Sequence, residues 1–157
     1  MVFLKSVARF SSIEMPIILT QTDTTVGFLS QNRKKLYEIK SRQSTKPFIK
    51  VYKNFKSFLQ DGNRVVSSRK NLVRRSKKTT FIINNFSFRV APFILNSQIL
   101  RDTSWFYSTS ANRSGERFSR EFCESKADII IEDMSGLVEK DSSALIKLNR
   151  KKKRKLR

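Results

Sequence analysis

Histidine is absent from this chain, cysteine occurs once, glycine four times and proline three times, and 13 acidic residues face 33 lysines and arginines. Without an imidazole, no Ser-His-Asp or Cys-His arrangement can form, and a zinc site of Cys and His ligands is excluded too. A single cysteine cannot close a disulfide within the chain. Cys123 lies beside Phe122 in a helical pattern and reads as a buried thiol rather than a nucleophile, in keeping with a reduced, cytoplasmic setting. Neither Gly-x-x-x-x-Gly-Lys-Ser/Thr nor Gly-x-Gly-x-x-Gly occurs, so P-loop and Rossmann-type nucleotide binding are excluded. Apolar runs are short, Pro16-Ile17-Ile18-Leu19 among them, against the roughly 20 residues of a membrane span. No membrane partner is expected.

What is present is charge and aromatic bulk. The 157 residues carry a net charge of +20, which favours a polyanionic partner, nucleic acid first, with general solubility as the alternative reading. Thirteen phenylalanines supply an aromatic core, which a disordered basic tail does not have. The length suits one domain over residues 1–149, followed by a basic, low-complexity tail at 150–157 that is expected to be disordered. The first ten residues are basic and free of acids. They read either as an organelle presequence or as a first element packed on the core.

Along the chain, Pro16-Ile17-Ile18-Leu19 predicts a buried strand. Ser30 is placed to cap a helix running to Lys40, with Leu36 and Ile39 inward. Residues 48–52 alternate as a strand, and a short helix follows with Phe55, Phe58 and Leu59 inward, ending at Asp61-Gly62. Val65, Val66, Leu72 and Val73 recur at helical spacing and predict a basic amphipathic helix over 64–78. Two β-rich runs, 79–83 and 86–90, joined by Asn84-Asn85, predict a hairpin with a tight turn. In it Phe86, Phe88 and Val90 share one face, and Ser87 and Arg89 the other. Helices over 93–100 and 116–123 and strands over 105–109, 128–131 and 144–148 complete the reading. Interleaved strands and helices with a hairpin predict an α/β or α+β sheet.

The residues with chemistry in reach form an ordered series. Thr22-Asp23-Thr24 with Gly27 comes first, then Lys40-Ser41-Arg42 before Lys46-Pro47. Last comes Ser108-Thr109-Ser110-Ala111-Asn112-Arg113-Ser114-Gly115, a loop of short donors and free backbone N–H groups that suits a phosphate or a carboxylate. Taken singly each piece also reads blandly, as turns, strand hydroxyls and a solvated basic face.

In this order the pieces resemble the YrdC/Sua5 family, the L-threonylcarbamoyladenylate synthases. Gln21-Thr22-Asp23-Thr24 resembles the family's Pro-Thr-Asp-Thr box, Lys40 and Arg42 its Lys-x-Arg, and Ser110 and Asn112 its Ser-x-Asn. Thr79-Thr80-Phe81, Phe88-Arg89-Val90 and Asp141-Ser142-Ser143 resemble its Val-Thr strand, Val-Arg-Val strand and late Ser-Thr pair. The chain departs from the pattern at Gln21, where the family has proline, at Val26, where tyrosine is usual, and at Gln43, where proline is common. The resemblance implies a single-domain, twisted mixed sheet with flanking helices around a concave basic groove. It implies a reaction joining L-threonine, bicarbonate and ATP, with Mg²⁺, into threonylcarbamoyl-AMP and pyrophosphate. A downstream transferase then passes the threonylcarbamoyl group to tRNA. Lys40 and Arg42 are implied as catalytic residues, and with Thr80, Ser110 and Asn112 as the ATP site. Thr22, Thr24, Arg89, Thr109 and Ser143 are implied as the L-threonine site, with no metal held by the protein itself. The reading from another class is a non-catalytic module or degenerate paralogue of the same fold that binds tRNA or double-stranded RNA.

Overall fold

The computed structural model describes residues 3–6, 15–41, 47–91, 101–150 and 152–157. Ten strands lie among them: β1 (Phe3–Ser6), β2 (Ile18–Gln21), β3 (Val26–Ser30), β4 (Ile49–Tyr52) and β5 (Thr79–Ile83), then β6 (Phe86–Val90), β7 (Trp105–Ser110), β8 (Ile129–Glu132), β9 (Ala144–Leu148) and β10 (Lys153–Lys155). Four α-helices accompany them: α1 (Arg33–Lys40), α2 (Phe55–Gln60), α3 (Lys70–Arg75) and α4 (Arg120–Lys126). The strands form one mixed sheet in the order β1-β8-β2-β3-β7-β4-β6-β5-β9-β10. β2 with β8, β4 with β6 and β5 with β9 run parallel; the other neighbours are antiparallel.

Register decides which side chains face the helices. Leu19, Val26 and Phe28 join Leu36 of α1 and Cys123 of α4 in one buried cluster. Tyr52, Phe81 and Phe88 join Phe55 and Phe58 of α2 and Val73 of α3 in a second. Tyr107 packs on the first and Trp105 on the second, so both clusters lie on one side of the sheet. A period of two then turns the intervening residues to the other side, among them Gly27, Thr80, Arg89, Ser108 and Ser110. The predicted aromatic core is an extended array: Phe58 stacks on Phe88 at 4.5 Å and on Phe55 at 5.6 Å, and Tyr52 meets Phe58 edge-on at 5.4 Å. Burial pushes the Cys123 thiol up, as befits a packing residue.

The hairpin forms over the predicted residues, with Asn84 and Asn85 at φ +47° and +64° as a primed turn demands. Several elements differ from the sequence reading. Residues 64–66 have no regular structure, a short 3-10 turn covers Ser67–Arg69, and only Lys70–Arg75 is α-helical. The apolar positions of the predicted helix do reach the core, Val65 from an irregular segment and Val73 from α3, so a helical spacing is satisfied by two conformations. α4 begins at Arg120 rather than 116, because Ser119 caps it by accepting from the Phe122 N–H, while Gly115 at φ +83° keeps the chain in a loop. Asn32, not Ser30, caps α1; Ser30 ends β3 and accepts from the Asn32 N–H. The basic tail is not a disordered appendage: Lys153–Lys155 pair with β9, and the Leu156 N–H donates to the Leu145 carbonyl. Its like charges carry no apolar pattern, so nothing in the sequence marks the strand. The helix expected over 93–100 lies outside the described residues, and no described helix is long and apolar enough to cross a membrane.

A polar clamp ties β4 to the end of α2. Asp61 accepts from Lys50 at 2.6 Å, Tyr52 at 2.5 Å and Asn63 at 3.2 Å. Burial pushes the Asp61 carboxyl up, but hydrogen bonds from Lys50 and Tyr52 and the Lys50 charge hold it below the usual carboxylate range. Its folded pKa is thus below its unfolded one, so its stabilisation is complete at neutral pH and lost as pH falls through the folded value. Asp61→Asn is expected to cost about 1 kcal/mol at neutral pH and to flatten the loss of stability below about pH 4. Thermal melts of both proteins across acidic pH check this.

Candidate functional site

The loop between β2 and β3 is built from its own hydroxyls. The Thr22 hydroxyl donates to the Thr25 carbonyl at 2.7 Å and accepts from the Thr24 N–H at 3.2 Å. This local turn leaves Asp23 and Thr24 pointing at β6. There Arg89, only 6 % exposed, donates through Nη1 to Asp23 at 2.6 Å and to the Thr24 hydroxyl at 2.9 Å. Its Nη2 reaches the Thr80 hydroxyl at 3.4 Å, and Thr80 is joined to Ser143 at 2.8 Å. Arg89 Nε is buried and has no hydrogen-bond partner among the described residues. The guanidinium is thus anchored through both Nη atoms, and its positive charge is held in place beside the β2–β3 loop.

Arg89 borders a cavity of about 380 Å³ on the side of the sheet away from the helices. Thr22, Thr24, Arg89, Thr109 and Ser143 all line it, so the five residues expected to take the amino acid converge on one space. Gly27 forms its floor: a Cβ there would lie 3.0 Å from Thr22 Cγ2 and 3.1 Å from the Thr109 carbonyl oxygen. A second cavity, of about 500 Å³, adjoins the first through Thr25, Ser110 and Ser142 and continues past Asn112, Arg117 and Lys140.

The loop after β7 is held by Lys40. This last residue of α1 is 3 % exposed, and its ammonium donates to the Ser110 carbonyl at 2.9 Å and to the Asn112 carbonyl and side-chain oxygen at 2.5 Å each. The Ser110 hydroxyl also donates to Asn112 Oδ1 at 2.7 Å. Lys40, Ser110 and Asn112 therefore form one unit, in which the lysine shapes the loop and Ser110 and Asn112 border the second cavity. Thr80, expected with the nucleotide, stands instead behind Arg89 and Ser143, beside the first cavity. Arg42 lies outside the described residues.

Other contributors go beyond the expected site residues. Asp23 is the ion-pair partner of Arg89, and Arg157, from the tail, lines the first cavity while its Nε donates to the Ser143 carbonyl. Residues 137–143 form a strap over the β2–β3 loop. Gln21 accepts from the Val138 N–H at 2.9 Å, and the Thr25 hydroxyl accepts from the Lys140 N–H at 3.1 Å. Gln21, at a position where the resembled family has proline, thus fastens the wall of the second cavity with its side-chain oxygen. Gln21 and Asp23 are signalled by their place in the Gln21-Thr22-Asp23-Thr24 box; for Arg157 there is no signal.

No protein-family model and no curated protein matches the sequence. Solved structures do. The full-length HypF in its phosphate- and nucleotide-bound form superimposes over 100 % of this chain and 25 % of its own, with a TM-score of 0.71 and 14 % identity. MTH1692 from Methanobacterium thermoautotrophicum gives a TM-score of 0.63 at 20 % identity, over 90 % of this chain and 79 % of its own. Sua5 from P. abyssi, complexed with L-threonine, gives 0.66 at 18 % identity over 90 % of this chain and 50 % of its own. The chain thus spans about a quarter of HypF and half of Sua5. Its fold is that of the YrdC/Sua5-type domains.

Proposed function

We propose that this chain is an L-threonylcarbamoyladenylate synthase that takes L-threonine, bicarbonate and ATP to threonylcarbamoyl-AMP and pyrophosphate, for the modification of tRNA. The observation that carries the reading is Arg89. It is a buried guanidinium bordering a cavity that Thr22, Thr24 and Ser143 also line. Such a pocket matches the carboxylate and the hydroxyl of a small amino acid. The likeness to a Sua5 that binds L-threonine supports the same assignment.

The chemistry asks little of a protein nucleophile, which suits a chain without histidine. The threonine amine adds to bicarbonate and water leaves, giving a carbamate. A carbamate oxygen then attacks the α-phosphorus of ATP, the bond to the β-phosphate breaks and pyrophosphate departs. Alignment and positive charge carry such a transfer. In this reading Arg89 fixes the carboxylate in the first cavity, while Ser110 and Asn112 present the nucleotide in the second. Arg117 and Lys140 line that cavity beside Glu139 and Asp141, so the phosphate charge is offset chiefly by Arg42 and the Mg²⁺ that enters with ATP. Lys40 is a positioning residue acting through the Ser110–Asn112 loop. Among the described residues no three metal-ligating side chains come together, so the phosphates would hold the ion.

Pyrophosphate release from ATP, measured with L-threonine, with L-serine and with no amino acid, each with and without bicarbonate, tests this. Release that requires both threonine and bicarbonate is the expected result. ATP binding without any release would leave a non-catalytic domain of this fold.

A further inference from the structure

We propose that Arg157, delivered by the basic tail, is the second cation of the amino-acid cavity and binds the one-carbon anion of the reaction: bicarbonate, then the carbamate formed from it. Two arginines line this cavity and no acidic residue does. Asp23, at 2.6 Å, already offsets part of the Arg89 charge. The proposed substrates bring two anionic groups into this space, the amino-acid carboxylate and bicarbonate. When the threonine amine adds to bicarbonate and water leaves, two negative charges persist, one on the carboxylate and one on the carbamate. An anion taken from water without a partner is strongly disfavoured, so one partly offset cation does not suffice for both. Arg157 supplies the other. Among the described residues its side chain makes a single hydrogen bond, from Nε to the Ser143 carbonyl at 3.2 Å, and no ion pair. Both Nη groups keep their donors for an incoming acceptor.

The backbone explains how a tail residue comes to face this cavity. Ile146 and Leu148 of β9 pack on the core cluster of the helix-bearing side, so Leu145 turns to the cavity side, as does Thr80, its partner on β5. β10 pairs with β9 in regular antiparallel register from Lys153 to Lys155. Unbroken alternation would place Arg157 on the side of Lys153 and Lys155, away from the cavity. The register breaks instead. The N–H groups of Leu156 and Arg157 both donate to the Leu145 carbonyl, at 2.7 and 3.4 Å, and the Leu145 N–H donates to the Arg157 carbonyl at 3.1 Å. Two residues thus oppose one, the pattern of a β-bulge, which re-aims a side chain. The bulge turns Arg157 towards Ser143, and Ser143 leads through Thr80 to Arg89. Ser142, next along the chain, lines both cavities, so an anion held beside Ser143 lies near the passage to the nucleotide.

This inference rests on the synthase reading, and equilibrium binding separates the two. N-Carboxymethyl-L-threonine carries a second carboxylate on its nitrogen, as the carbamate does, and does not lose CO₂. Calorimetric titrations of this dicarboxylate and of L-threonine compare the parent with Arg157→Ala, Arg157→Lys and Lys155→Ala, the last removing one charge from the same tail. Thermal melts confirm that each variant is folded. Arg157→Ala is expected to weaken the dicarboxylate about tenfold or more and L-threonine by less than about twofold. Arg157→Lys is expected to recover part of that loss, and Lys155→Ala to stay near the parent with both ligands. In turnover, the KM for bicarbonate is expected to rise with Arg157→Ala while the KM for ATP changes little. Equal losses of both ligands, an unchanged affinity for the dicarboxylate, the same loss in Lys155→Ala, or no binding of the dicarboxylate by the parent would each overturn the assignment. If the parent releases pyrophosphate with threonine and bicarbonate while Arg157→Ala behaves like it, the synthase reading stands and this inference falls. If the dicarboxylate depends on Arg157 but no pyrophosphate is ever released, the anion site stands and the synthase reading falls.

Discussion

Arg89→Ala is expected to abolish threonine-dependent pyrophosphate release and to lower stability sharply, because one side chain serves two purposes. Towards the cavity, its loss removes the positive charge that holds the carboxylate, worth about 3 kcal/mol or roughly a hundredfold in kcat/KM. Towards the protein, it strands Asp23, whose side chain is 13 % exposed, and removes the donor to Thr24. Breaking a buried pair from one side costs about 3–5 kcal/mol, and the modest exposure of Asp23 puts this case at about 3. The two effects separate by substitution. Asp23→Asn/Arg89→Ala removes the stranded charge, so it should recover much of the melting temperature and none of the threonine dependence. Arg89→Lys retains charge but not the flat edge, and should keep stability better than binding. If Arg89→Ala keeps threonine-dependent release near that of the parent, the carboxylate binds elsewhere.

Lys40→Met carries the second large effect, with a different signature. The methionine matches the length of the lysine stem but supplies no donors to the two carbonyls and the amide oxygen that Lys40 satisfies. The Ser110 carbonyl keeps the Asn112 N–H and Asn112 Oδ1 keeps the Ser110 hydroxyl, so the Asn112 carbonyl is the acceptor most exposed to loss, at a cost of about 1–3 kcal/mol unless the loop moves towards water. A loss of about 2 kcal/mol is therefore expected, with the Ser110–Asn112 loop displaced. Because that loop borders the second cavity and only touches the first, calorimetric titration should show ATP affinity falling by tenfold or more while L-threonine affinity changes little. Parallel losses of both affinities would mean that Lys40 supports the whole fold rather than the loop.

Much of the sheet is legible from local pattern. The 79–90 hairpin announces itself because two asparagines tolerate positive φ between two β-rich runs. Apolar alternation bounds β9 correctly, and Lys40, Ser110 and Asn112 stand out together as a set. β3 is not legible in this way: Val26–Ser30 contains a glycine and lies on both sides against other strands, so its burial reflects neighbours rather than alternation. The predicted basic helix fails for the converse reason. Periodicity counts which residues turn inward, not which backbone carries them there.

By itself the sequence determined what chemistry is open to this protein. A chain with no histidine and one cysteine has no imidazole base and no intrachain disulfide, and one with 33 cations has anions as its natural partners, because residue type sets proton affinity, ligand chemistry and charge before any folding. Tertiary structure alone decided which groups share a space. Asp23 and Arg89 are 66 residues apart, Lys40 and Asn112 are 72 apart, and Gln21 and Val138 are 117 apart. Their meetings follow from a strand order that places β3 beside β7 and β6 beside β4, which no local propensity encodes. Burial is likewise a property of the assembled sheet. It made Lys40 the anchor of a loop, and left the Nε atoms of Arg89 and Arg69 without hydrogen-bond partners among the described residues.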